Sequence, residues 1–87
     1  MRDIAELRQE INQLNNDILK AFIRRMEVSQ GIIEYKKANA LPVLDRKREE
    51  EVLQNMIDLT PEDLKPYTLD LFKCIMDLSK EYQNKLK

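Results

Sequence analysis

Several polar residues in this chain occupy positions where helical periodicity calls for apolar ones, and together they suit the handling of an anion. Arg25 falls in the register of Ile4, Ile11, Ile18 and Ile32. Lys36 lies eleven residues further on, about three helical turns, which puts both cations on one face. Arg48 and Glu49 fall on the same side as Val52, Leu53 and Met56, and Ser79 and Gln83 stand at i, i+4 on the stripe that carries Phe72 and Met76. Cations outnumber carboxylates among these inward polar groups, and a buried cation without a carboxylate partner is costly, so an anionic ligand is the natural missing component. Taken singly, each feature has a plainer reading. Arg25 or Lys36 could snorkel to water, Arg48-Glu49 could be an exposed charge pair, and Ser79 with Gln83 could be a tolerated polar edge. The combination carries the argument.

The chain has no histidine, so triad chemistry, histidine acid–base chemistry and Cys/His zinc sites are excluded. No metal or cofactor is expected. Catalysis here must rest on Arg, Lys, Glu, Asp, Gln or Ser. The single cysteine, Cys74, cannot staple the fold and reads as a small buried hydrophobe.

The elements that must position these groups are helices. One Gly and three Pro leave few breaks, and strand alternation is nowhere convincing. The apolar positions Ile4, Leu7, Ile11, Leu14, Ile18 and Ala21 step by three and four, and the register continues through Arg25, Val28, Ile32 and Tyr35. This predicts one helix of about 36 residues, roughly 54 Å long. The Asn39 to Val43 segment, with Pro42, ends it. Asp45 can cap a second helix over roughly 45 to 58. Thr60-Pro61-Glu62-Asp63 reads as an N-cap with proline at the first helical position, and Pro66 restricts it to one turn. A third helix should begin near Pro66 and run to about Leu86, with Phe72, Ile75, Met76, Ser79 and Gln83 as its seam.

Length and charge narrow the function. Eighty-seven residues make a single domain, 1–87, with only a thin core and no second catalytic module. Fifteen Lys+Arg against sixteen Asp+Glu, a formal net charge of −1, exclude a typical nucleic-acid binder and a polybasic membrane-surface peptide. No apolar run approaches the roughly 20 residues that span a bilayer, and no signal-peptide core is present, so a soluble, cytoplasmic protein is expected. The first helix is far longer than a compact globule of this size. A homodimer in which two long helices cover each other is the expected solution.

The chain resembles the all-helical chorismate mutase family along nearly its whole length. Leu7-Arg8-Gln9-Glu10-Ile11 with Leu14-Asn15 is similar to the family's L-R-x-x-I-x-x-L-D opening. Arg24-Arg25 stands in mid-helix, with the apolar register favouring Arg25 as the family's arginine, and Lys36 lies near the helix end. Pro42-Val43-Leu44-Asp45-Arg46-Lys47-Arg48-Glu49 resembles P-V-x-D-x-x-R-E, and Ser79 and Gln83 have the spacing of the last two site residues. Asn15 departs from the more usual Asp, and Met26 stands where a second arginine is common. The resemblance implies an all-α fold in which a long, a short and a medium helix from each chain intertwine in a homodimeric bundle. It implies conversion of chorismate to prephenate, a pericyclic step of phenylalanine and tyrosine biosynthesis that needs no proton transfer. It further implies that Arg25, and Arg8 from across the dimer, take carboxylates, with Ser79 assisting one of them. Lys36 and Gln83 would donate to the ether oxygen, Arg48 would lie near the enolpyruvyl carboxylate, and Glu49 with the backbone at Asp45 would meet the ring hydroxyl. The alternatives are a related isochorismate-pyruvate lyase and, in a different class, a non-catalytic helical interaction module.

Overall fold

A computed structural model describes residues 2–42 and 45–85. It contains three α-helices, α1 (Ile4–Ala38), α2 (Arg46–Asp58) and α3 (Lys65–Lys85), with a single 3₁₀ turn at Glu62–Leu64 before α3. No strand occurs among the described residues, and no helix is long and apolar enough to cross a membrane.

The helix ends follow from local chemistry. Asp3 caps α1 by accepting from the Glu6 amide at 2.9 Å, and Asp45 caps α2 by accepting from the Arg48 amide at 3.0 Å. Helix α1 ends at Ala38, four residues before Pro42. Its last turn closes with Ala40 at φ 54°, while the Ala40 amide donates to Lys37 O and the Leu41 amide to Lys36 O at 2.8 Å. This is the left-handed termination that usually employs glycine. The proline therefore blocks continuation beyond a stop already made by backbone hydrogen bonds. Val43, which the sequence reading included in this break, lies outside the described residues.

The turn before α3 differs from expectation. Pro61 itself holds the cap position of the 3₁₀ turn, at ψ 147°, and no side chain caps it. The Thr60 hydroxyl instead donates back to Met56 O at 2.6 Å and lies 3.1 Å from the Thr68 hydroxyl. A hydroxyl has one proton, and the unsatisfied carbonyl at the end of α2 takes it.

Helix α3 is the centre of the fold, packing against α2 on one side and the C-terminal part of α1 on the other. The core is thin: Ile33 and Met76 are its buried apolar residues, with Ser79 buried beside them. The inner stripe of α1 consists of Phe22, Arg25, Met26, Ser29, Gln30, Ile33 and Lys36, all at least half-buried. Within this single chain it is a different stripe from the seam read from the sequence. Of that seam, Arg25 alone is covered, whereas Ile4, Leu7, Ile11, Leu14, Ile18, Val28, Ile32 and Tyr35 are each more than 40% exposed. Residues 2–21 carry no covered side chain. The radius of gyration, 16.4 Å, exceeds the roughly 12 Å of a compact chain of this length because that half of α1 projects beyond the other helices. Cys74, expected inside, is exposed on α3.

Candidate active site

Because α1 and α2 both pack on α3, the space between them forms a cleft of about 540 Å³ floored by α3. Helix α1 supplies Arg25 and Lys36 to its wall, the start of α2 supplies Asp45, Arg48 and Glu49, and α3 supplies Ser79 and Gln83. Apolar side chains of Val28, Ile32, Val52 and Met76 complete the lining. Seven of the eight residues singled out from the sequence thus meet in one cleft. Arg8 does not: it lies 17 residues before Arg25, about 25 Å along the helix, on the exposed half of α1.

Arg25 is held by the buried serine, its Nη1 donating to Ser79 Oγ at 3.1 Å, while Ser79 donates to Met26 Sδ at 3.5 Å. The serine hydroxyl is thereby used in both directions and orients the guanidinium without neutralising it. Arg24, its neighbour, points away and pairs with Glu27 at 3.1 Å with its side chain 74% exposed. The choice between the two arginines is therefore made by helix rotation.

The cleft cations are less buried than the sequence argument required. Arg25 and Lys36 are half-buried and Arg48 is exposed, its guanidinium 3.8 Å from Glu51 along the same helix. Solvent reaches each of them, so an approaching anion exchanges hydration for hydrogen bonds, and the fold is spared the cost of an unpaired buried charge. No buried side-chain nitrogen or oxygen among the described residues lacks a partner.

The sequence reading missed Lys80. Its Nζ lies 2.8 Å from Glu49 Oε1, joining α3, the floor of the cleft, to the α2 wall. The signal was present in the spacing, since Lys80 stands four residues after Met76 and three before Gln83 on the same stripe. Asn84 and Ser29 also line the cleft.

Arranged in this way, the cleft carries four cationic side chains, Arg25, Lys36, Arg48 and Lys80, against the carboxylates of Asp45 and Glu49, with the neutral polar groups of Ser79 and Gln83. Such a site can bind a compact dianion and stabilise charge that shifts within it.

A sequence model described as chorismate mutase type II matches residues 7–84, about nine-tenths of the chain and a span that includes Arg8 and every cleft residue named above. Neither the curated proteins nor the solved structures gave a significant match. With its three-helix architecture and this match, the chain belongs to the chorismate mutase type II family, an all-helical family of isomerases.

Proposed function

We propose that this protein is a cytoplasmic chorismate mutase of phenylalanine and tyrosine biosynthesis, acting as a homodimer on chorismate with no metal or cofactor. The observation that supports this reading best is the convergence of Arg25, Lys36, Arg48, Ser79 and Gln83 from three helices on one cleft, with Arg25 oriented by Ser79.

In the rearrangement, the ether C–O bond breaks as a C–C bond forms, within one cyclic movement of electrons. Atoms are conserved and no proton is transferred. The protein's task is to hold the reactive diaxial conformer and to stabilise negative charge growing on the ether oxygen. Arg25, assisted by Ser79, takes one carboxylate, and Arg48 lies near that of the enolpyruvyl group. Lys36 and the Gln83 amide donate to the ether oxygen, whose charge is greatest in the transition state. Glu49 accepts from the ring hydroxyl, and the backbone at Asp45 meets the same group. Donors carried on helices reorganise little during the reaction, so their stabilisation is delivered in full.

Arg8 serves the site of the opposite chain. The uncovered stripe from Ile4 to Ile18 supports this arrangement, since an apolar helical face of that length is suited to cover by a second copy. The test is incubation with chorismate and, separately, with isochorismate, followed by chromatography. Prephenate from chorismate is the expected product. Salicylate plus pyruvate from isochorismate alone would replace the mutase with the lyase, and no turnover of either would leave an interaction module.

A further inference from the structure

The ion pair between Lys80 and Glu49 ties α3, the floor of the cleft, to its α2 wall and links residues 31 positions apart, whereas Arg2, Arg24, Arg48 and Lys65 pair with acids within eight residues along the chain. Its two side chains are 41% and 29% exposed, so it is partly withdrawn from solvent. Glu49 presents a problem for the proposed chemistry: it is a carboxylate in a cleft meant for a dianion. An uncompensated carboxylate there would repel the substrate that it is meant to orient. Lys80 sits on the stripe that faces the site, next to Ser79, and reaches the carboxylate by one oxygen, Oε1. A carboxylate has two oxygens and about four acceptor positions, so pairing at Oε1 leaves Oε2 able to accept from a ligand hydroxyl.

We propose that Lys80 is a positioning residue, which anchors the Glu49 carboxylate across the α2–α3 gap and offsets its charge, so that Glu49 can receive a neutral hydroxyl of a dianionic substrate. The proposal rests on the mutase reading. It also predicts which kinetic constant responds. The rearrangement leaves both carboxylates of the substrate intact, so the repulsion that Lys80 offsets is nearly the same in the ground state and the transition state. Its removal weakens uniform binding and acts on KM. Lys36 differs, because the charge that it meets develops during the reaction.

The experiment compares the parent with Lys80→Met, Lys80→Arg, Glu49→Gln and the Lys80→Met/Glu49→Gln double variant, using steady-state kinetics on chorismate and thermal melting. Lys80→Met should raise KM about tenfold, the scale of one unit charge acting over several ångströms in a half-solvated cleft, with kcat within about threefold of the parent. Lys80→Arg should restore most of the binding. The double variant should bind no worse than the weaker single variant, because without the Glu49 charge Lys80 has nothing to offset. An unchanged KM in Lys80→Met, or a fall in melting temperature as its only effect, overturns the proposal. So do losses that multiply in the double variant, which would mean that Lys80 acts on the substrate independently of Glu49. If Lys80→Met does not fold, Lys80→Arg decides the matter: parental binding supports the proposal and a tenfold loss refutes it. A parent that fails to turn over chorismate removes the mutase reading and this proposal together, whereas an active parent with an indifferent Lys80 removes the proposal alone.

Discussion

The two halves of α1 are made of the same kind of sequence and have opposite fates. From Ile4 to Ala21 the helix carries an apolar stripe that nothing in its own chain covers, while from Phe22 to Lys36 it carries more polar groups on its inner face and packs against α3. The half whose stripe is wholly apolar is thus the exposed one. The contrast shows that an amphipathic stripe records the need for a partner and does not say whose surface meets that need. In the C-terminal half the partner is α3, and the face that meets it carries the site candidates Arg25 and Lys36. In the N-terminal half we propose a second copy, and the residue to be delivered is Arg8.

Four perturbations sharpen or break this contrast. The largest effect should come from Leu14→Asp, which places a charge in the uncovered half. If a second chain covers it, each dimer buries that charge twice, and dimer affinity measured by sedimentation should fall by at least about 100-fold. A protein that sediments as a monomer before and after the change would show that the stripe has no such role.

Lys36→Ala tests the other half. Its kcat should fall by about 100-fold, the scale of losing one donor to a developing oxyanion. A rise in KM alone would mark Lys36 as a ground-state binder.

The third perturbation joins the two halves. Arg8→Ala and Lys36→Ala should each be nearly inactive, yet unfolding them together and refolding should yield about half mixed dimers. One site of each mixed dimer then receives Arg8 from one chain and Lys36 from the other. Activity should return to roughly a quarter of the parent, since one of two sites works in half of the dimers. With mixed dimers verified by mass spectrometry, no recovery would place Arg8 in the service of its own chain.

The smallest effect concerns the end of α1. Ala40 holds a left-handed conformation, and the turn that it makes ties Lys36 O to the Leu41 amide. Ala40→Gly should stabilise the protein by about 1 kcal/mol, read from the denaturant midpoint, because glycine adopts this conformation without steric cost. A lower midpoint would mean that the turn is not under strain.

Much of the fold was legible because it depends on neighbours in the chain. The cap at Asp45, the helix from Ile4, the break before Pro42 and the single turn after Pro61 are all decided within a few residues. Thr60 was misread even at that range, since a hydroxyl can serve either the helix behind it or the turn ahead, and composition does not choose. The spacing of Arg25 and Lys36, and of Ser79 and Gln83, was also readable, because helical geometry places such pairs on one face before any tertiary contact forms.

By itself, then, the sequence determined the number of helices, most of their ends and the groups that each helix offers. Tertiary structure alone decided which stripe of α1 meets α3, that Ser79 holds the Arg25 guanidinium, that Cys74 lies outside, and that Lys80 reaches Glu49. Hydrophobic periodicity is a property of one helix, whereas burial and pairing depend on how helices cross. A rotation of one residue, about 100°, exchanges an inner face for an outer one while leaving the periodicity of the sequence unchanged.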